Sequence, residues 1–272
     1  MTATTNPNKA LWEKGDFTRI ADQMRSSGEA LVAKLGVTEG LRVLDLGCGD
    51  GTTAVPEAQL GAEVLGVDIA ANLVAAGNAR AEQLGLTNLH FQEGDATDLS
   101  ELDDESFDLV VSIFGAMFAP KPFDVAAEMV RVTKHGGRIV MGNWIPNDPT
   151  LVAQILKISA AYAPPPPEGF ISPMTWGIED EVSERFEAAG VPNDQIAFER
   201  DTFTFEAPVP PSEFVGLFRD YYGPTMNAFD AARADGRDAE LQAELEDLFD
   251  EKNESDEGTR IPATFLRVTV TR

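Results

Sequence analysis

Apolar residues follow two alternating rhythms through the first half of this chain. Near-continuous apolar runs predict strands at 41–46, 62–67, 88–93, 107–114 and 137–143. Between them, stretches with a 3.6-residue repeat predict helices at 52–60, 71–84 and 122–134. The clearest is 122–134, with Phe123, Ala126, Ala127 and Val130 on one stripe and Asp124, Glu128 and Arg131 off it. Strands such as Phe107-Asp-Leu-Val-Val-Ser-Ile show little polar alternation, the pattern of a parallel sheet covered on both faces. Upstream, residues 9–36 read as one helix with Ile20, Met24, Leu31 and Leu35 apolar and a stop near Gly36.

After Gly142 the composition changes. A helix over 148–162 runs into the stiff segment Pro164-Pro-Pro-Pro, then an aromatic loop from Phe170 to Trp176 and a helix over 178–189. Residues 195–205 and 262–271 alternate in the strand period and are expected to pair as antiparallel edge strands. Between them, 209–257 is acidic and helical, with Leu241, Leu245, Leu248 and Phe249 on one stripe. The expected organisation is a helical lid over 1–40, an α/β core over 41–147, and the remaining strands with a helical cap over 148–272. The cap inserts are 148–190 and 208–260.

At 272 residues and 43% hydrophobic content, the chain can build one large core. No apolar run approaches the roughly 18 residues of a membrane span, and the polar stretch Met1 to Ala10 carries no export signal. A single cysteine rules out an internal disulfide and a cysteine-cluster metal site, so a cytoplasmic setting is expected. The net charge of −25 disfavours nucleic acid and anionic membrane surfaces alike. The excess charge reads as solvated faces that keep the protein soluble or, alternatively, as recognition of a basic partner, and nothing in the sequence sets the oligomeric state.

Candidate chemistry sits at three predicted strand ends. Val43-Leu-Asp-Leu-Gly-Cys-Gly-Asp-Gly runs a buried strand into a glycine turn, with Asp45 two residues before Gly47. A dinucleotide fold would use a Gly-x-Gly-x-x-Gly spacing to seat a pyrophosphate, and that spacing is absent here. S-adenosylmethionine has no phosphate; Asp45 would position its ammonium directly or through water. Backbone N–H groups of Gly47, Cys48 and Gly49 would serve its carboxylate. Asp68, ending Val64-Leu-Gly-Val-Asp, suits ribose hydroxyls or, alternatively, a helix N-cap. Asp95 would accept from the adenine amine, and the Ala96 N–H would donate to a ring nitrogen.

These motifs resemble the class I S-adenosylmethionine-dependent methyltransferases, closest to the ubiquinone/menaquinone-biosynthesis group. The resemblance covers Val43–Gly51, the acid loop Val67-Asp-Ile69, Gly94-Asp-Ala96, the strand Phe107–Ile113 with its exit to Phe118, and Arg131-Val-Thr-Lys-His-Gly-Gly. His135 stands where proline is usual, a change expected to alter a surface turn only. Pro164–Gly177 and Phe218–Thr225 are similar to cap segments of small-molecule members. The resemblance implies a doubly wound, mostly parallel seven-stranded sheet in the order 3-2-1-4-5-7-6, strand 7 antiparallel, under a helical cap. It also implies S-adenosylmethionine as cofactor, with Ile69 and Ile113 beside it.

Methyl transfer from a sulfonium is an in-line displacement, so the protein chiefly positions and desolvates. His90 lies in a predicted strand and His135 in a turn, so no histidine base is evident and no catalytic residue is assigned. No metal-ligand spacing is present either. Phe114, Phe118, Trp144 and Trp176 are candidates for the acceptor pocket, with core packing the alternative for each. Arg219 and Tyr222, in Phe218-Arg-Asp-Tyr-Tyr-Gly-Pro, are candidates to orient a polar acceptor group. Trp12 and Phe17 would close a lid or simply pack the first helix, and Cys48 reads as a small residue that fits its turn. Two other classes stay open: a nicotinamide-dependent oxidoreductase, which would want the other glycine spacing, and a non-catalytic binding module.

Overall fold

Parallel strands linked by helices leave the carboxyl ends of the sheet free for a ligand, and this chain is built that way. The computed structural model describes residues 7–272. Its strands are β1 (Arg42–Leu46), β2 (Glu63–Asp68), β3 (Leu89–Glu93), β4 (Phe107–Ile113), β5 (Thr133–Trp144), β6 (Ile196–Ala207) and β7 (Thr259–Thr271). They form one seven-stranded sheet in the order β3-β2-β1-β4-β5-β7-β6. Strands β1 to β5 run parallel, and β7 lies antiparallel to both β5 and β6. The anticipated order and the reversed seventh strand are both present.

The helices are α1 (Pro7–Trp12), α2 (Thr18–Ala21), α3 (Arg25–Val32), α4 (Ala54–Gln59), α5 (Ala71–Leu84), α6 (Pro122–Val132), α7 (Leu151–Tyr162), α8 (Glu179–Ala188), α9 (Pro211–Tyr221), α10 (Gly223–Ala234) and α11 (Asp238–Lys252). Helices α9 to α11 fill the interval between β6 and β7 and form the cap. On α11, Leu241, Leu245, Leu248 and Phe249 are buried, the stripe read from the sequence. Phe214 and Phe218 of α9 meet Phe249 edge-on at 5.7 and 5.3 Å, which joins two cap helices through aromatic contacts. No helix among the described residues is long and apolar enough to cross a membrane.

Three sequence expectations need correction. The single helix over 9–36 is broken into α1, α2, a 3-10 turn at Asp22–Met24, and α3. Its apolar stripe survives, since Ile20, Met24, Leu31 and Leu35 are buried. Between α1 and α2 the chain runs close to α9 at Gly15, where a Cβ would lie 2.4 Å from the Tyr221 carbonyl oxygen. Residues 1–6 of the expected lid lie outside the described residues. On α6 the buried face is Val125, Ala126, Met129, Val130 and Val132, while Phe123 is 43% exposed. That face keeps the helical period but is rotated by about one position from the stripe read off the sequence.

The third correction concerns the turn before the fifth strand. β5 begins at Thr133, and its register against β4 jumps from Phe107↔Thr133 to Leu109↔Arg138. Gly136, at φ +78°, donates its N–H to the Arg272 carbonyl at the end of β7, and Arg272 donates back to Gly137. Antiparallel pairing with the last strand therefore turns the expected surface turn into a bulged extension of the sheet.

The cap-side 3-10 turn Pro173–Gly177 docks tightly on the end of β5, because a Cβ at Gly177 would sit 2.1 Å from the Trp144 carbonyl oxygen. Gly177→Ala is expected to lower stability by about 2–4 kcal/mol through forced backbone separation. Urea unfolding checks this, and a shift below half a kcal/mol would contradict the close approach.

Candidate active site

The ends of β1, β2, β3 and β4 border one cleft of about 970 Å³, counting its open mouth. Backbone contact sets its floor. Gly47 leaves β1 at φ +70° with its Cβ direction 2.6 Å from the Gly115 Cα, so side chains at neither position would fit. Gly47 donates to the Val67 carbonyl at 2.7 Å, which clips the turn to β2. Gly49, at φ +57°, faces open cleft, with the Phe17 ring 4.0 Å from where a Cβ would stand. Gly47, Cys48 and Gly49 all line the cleft.

Asp68 joins this turn to the next helix. One carboxylate oxygen accepts the Gly49 N–H and the other the Ala70 N–H, both at 2.9 Å. Burial raises its pKa, against the lowering effect of those bonds. Asp68 also lines the cleft, while the N-cap position of α5 is held by Ala70. Asp95 closes an Asx turn, its Oδ1 accepting from the Thr97 N–H at 2.9 Å and the Thr97 hydroxyl at 2.8 Å. Asp95, Ala96, Ile69 and Ile113 all border the cleft.

Asp45 stands apart from the other two acids. It is 1% exposed and sits under the cleft wall, and it is not among the residues that line the cleft. Its Oδ2 accepts the Thr53 hydroxyl at 2.5 Å, and Thr53 is the residue that reaches the cleft. Burial pushes the Asp45 carboxyl up to about 7, helped by the charge of Asp68 and opposed by the Thr53 bond. Burial likewise pushes the Cys48 thiol up, with Asp68 and Asp45 adding to it. A thiol held protonated there is inert, in keeping with a space-filling role.

Aromatic rings make the opposite wall. Phe114 leaves β4 at φ +59°, rare for a bulky side chain, and its ring stacks on Trp144 at 3.7 Å and 8°. Phe203 and Phe265 meet it edge-on, each at 5.1 Å. Phe114, Phe118 and Phe203 line the cleft, and Trp144 supports Phe114 from behind. Trp12 and Phe17 complete the wall, with Trp12 5.0 Å from Phe118 and 5.7 Å from Phe17. Lys9 ties α1 to the strand ends by pairing with Glu93 and donating to the Ile69 carbonyl at 3.2 Å. Asn8 donates to the Phe118 carbonyl from the other side.

Four expected acceptor residues do not border the cleft: Trp144, behind Phe114, and Arg219, Trp176 and Tyr222. Arg219 pairs with Asp220 at 2.8 Å and reaches Gln242, turned toward α11 by its neighbouring acid. Trp176 is 1% exposed and packs under the Arg185 guanidinium at 4.7 Å. Tyr222 is buried and packs against Trp12 and Phe17, at 6.0 and 6.2 Å. His90 and His135 are exposed and outside the cleft, and no metal-binding cluster occurs among the described residues.

Several lining residues escaped sequence reading. Thr52, Thr53 and Asp50 follow the glycine turn directly, so their neighbourhood was visible though not their roles. Arg25 anchors Asp50 and donates to the Thr52 hydroxyl at 2.7 Å, a contact across 27 positions with no local signal. Phe203 arrives from the far edge strand β6 for the same reason.

Residues 44–141 match the family model described as a methyltransferase domain. The chain is 33% identical over 249 residues to the uncharacterized protein Rv1403c of Mycobacterium tuberculosis, covering 90% of this chain and 88% of that one. It is 35% identical over 122 residues to a demethylmenaquinone methyltransferase of Renibacterium salmoninarum, covering 45% and 49%. The fold matches a Haemonchus contortus phosphoethanolamine N-methyltransferase, solved with phosphomonomethylethanolamine and S-adenosylhomocysteine. That match has a TM-score of 0.57 and 16% identity, over 91% of this chain and 52% of the other.

The raised Asp45 pKa has a measurable consequence. Its folded value near 7 exceeds the ordinary carboxylate value, so the native state holds an extra proton between about pH 4 and 7. The stability from this group is full below that window and is lost as pH rises through it. Asp45→Asn, which mimics the protonated acid, is expected to gain roughly 2 kcal/mol relative to wild type between pH 5 and 7.5. Urea midpoints at the two pH values check it; a constant difference would contradict the burial.

Proposed function

This chain belongs to the class I S-adenosylmethionine-dependent methyltransferases, and from that premise we propose that it methylates a small, largely apolar or aromatic acceptor. S-adenosylmethionine is the methyl donor; when bound it supplies the electrophilic carbon and the sulfur leaving group. The observation that carries the reading is the meeting of Asp68, Asp95 and the Gly47–Gly49 turn in one cleft that also has an aromatic wall. The open space over Gly49 supports the fit, because any side chain there would occupy the cleft.

In this reading Asp68 accepts from the ribose hydroxyls with the lone pairs left by Gly49 and Ala70. Asp95 and the Ala96 N–H take the adenine edge, between the apolar sides of Ile69 and Ile113. Backbone N–H groups of the glycine turn take the carboxylate, and Thr53 backed by Asp45 takes the amino group. Phe114, Phe118 and Phe203 hold the acceptor and exclude water, with Trp12 and Phe17 closing above it. Neither histidine borders the cleft, so the acceptor is best one whose nucleophile is reactive without a histidine base, such as an amine, a thiolate or an acidic hydroxyl. Cys48, a buried thiol kept protonated, suits a reducing cytoplasmic setting.

Three measurements test this. S-adenosylhomocysteine should raise the melting temperature by mass action while NADH does not; the reverse result would reopen the nicotinamide alternative. Asp68→Ala should weaken S-adenosylhomocysteine binding by about 1.5–3 kcal/mol, as loss of charged hydrogen bonds implies. Phe114→Ala should raise KM for the acceptor at least severalfold while S-adenosylhomocysteine affinity stays within about threefold. The acceptor itself is to be found by a metabolite screen with labelled methyl donor, and a screen that transfers no label would favour a binding module.

A further inference from the structure

Charge on this cleft is one-sided. The carboxyl groups of Asp50, Asp68 and Asp95 line it, and so do the rings of Trp12, Phe17, Phe114, Phe118 and Phe203. Among the described residues no lysine, arginine or histidine borders it, and residues 1–6 contain none in their sequence. The cations in the surrounding shell are already engaged. Arg25 pairs with Asp50 and donates to the Thr52 hydroxyl at 2.7 Å. Arg80 donates to the Gly51 carbonyl at 2.9 Å, and Lys9 pairs with Glu93. Lys14 pairs with Asp230 of α10 at 2.6 Å.

An acceptor held against the rings leaves water behind. A phenol or a thiol must ionise before its oxygen or sulfur can attack a methyl group, whereas an amine attacks as the uncharged base. Burial disfavours whichever form is charged, so it keeps a phenol or thiol protonated and favours the free amine over its ammonium. The protein's own groups show the first effect. Burial raises the pKa of Tyr222, a phenol packed against Trp12 and Phe17. Cys48, a thiol on the cleft itself, is raised by burial and further by the charges of Asp68 and Asp45. A phenolate or thiolate acceptor meets the same opposition, with no lining cation to offset it. The net positive charge of bound S-adenosylmethionine attracts a phenolate and repels an ammonium, but Asp68 and Asp95 on the same cleft offset it, which leaves burial to decide.

We propose that the acceptor is an amine on an apolar or aromatic body, taken into the cleft as the free base and methylated at nitrogen. This rests on the rings being the acceptor wall, as in the function proposed above. The amine gives up its extra proton to water on entering. The nitrogen lone pair then forms the N–C bond, and the electron pair of the C–S bond leaves with sulfur as S-adenosylhomocysteine. The product is an ammonium that carries the new methyl group.

Two probes test this on the full chain saturated with sinefungin, which carries an ammonium where the donor has its sulfonium. 4-Nitrophenol, yellow only as the anion, is added at the pH where half of it is ionised in buffer. Binding should bleach the yellow and raise the apparent pKa of the phenol by at least one unit, about tenfold in its ionisation constant. Benzylamine affinity, by calorimetric titration, should rise about tenfold per unit between about pH 7 and 9, because only the free base enters. In the acceptor that the labelled-donor screen returns, the label should sit on nitrogen. A deepened yellow on binding, a benzylamine affinity that is flat or falls with pH, or label on oxygen, sulfur or carbon would each overturn the inference and leave the methyltransferase reading intact. If sinefungin and S-adenosylhomocysteine both fail to bind, the cofactor placement fails first. If sinefungin binds but neither probe does, the ring-lined acceptor pocket fails. Either result takes the inference with it.

Discussion

The double hydrogen bond of Asp68 is the constraint on which this cleft depends. A carboxylate at the tip of β2 has one oxygen on the Gly49 N–H and the other on the Ala70 N–H. It thereby fixes the exit of β1 against the exit of β2 and starts α5 at a set angle. Taking that charge out of water is costly, and the two backbone donors offset the cost only while both strand ends stay in place. Holding this geometry constrains everything around it: Gly47 must approach Gly115 without a side chain, and Gly49 must leave the space above it open.

The wall facing the acids is shaped by a different force. Phe114 occupies a backbone conformation that costs energy for a bulky residue, and its stacking on Trp144 and edge contacts to Phe203 and Phe265 compensate. Those partners come from β5, β6 and β7, so the antiparallel half of the sheet decides where a ring exiting the parallel half will point. The antiparallel half thus adds Phe203 to a wall whose other rings come from the β4 exit and the N-terminal segment. Methyl transfer asks for two sides in such a cleft: one grips a charged donor, and the other excludes water around the reacting centre.

Much of the fold was legible in the chain. Apolar runs marked the strands, and the resemblance carried by Val43–Gly51, Asp68 and Gly94–Ala96 implied the order in which they pair. The errors lay where periodicity has more than one solution. On α6 two stripes of the same period differ by one residue, and only the sheet selects the one that buries Val125 and Met129. In the N-terminal segment an unbroken apolar stripe concealed three short helices, the first two separated where Gly15 approaches Tyr221, more than 200 positions along the chain.

The sequence by itself determined which groups would stand at the strand ends, because glycine and aspartate at those places are local requirements of a turn and of a polar tip. Only the tertiary structure decided what those groups face. Asp45 went under the wall, with its carboxylate on the Thr53 hydroxyl, and left Thr53 to reach the cleft. Arg219 went outward to Asp220, and Phe203 came inward from an edge strand. Side-chain direction at long range depends on packing between elements distant in the chain, and local patterning carries no record of it.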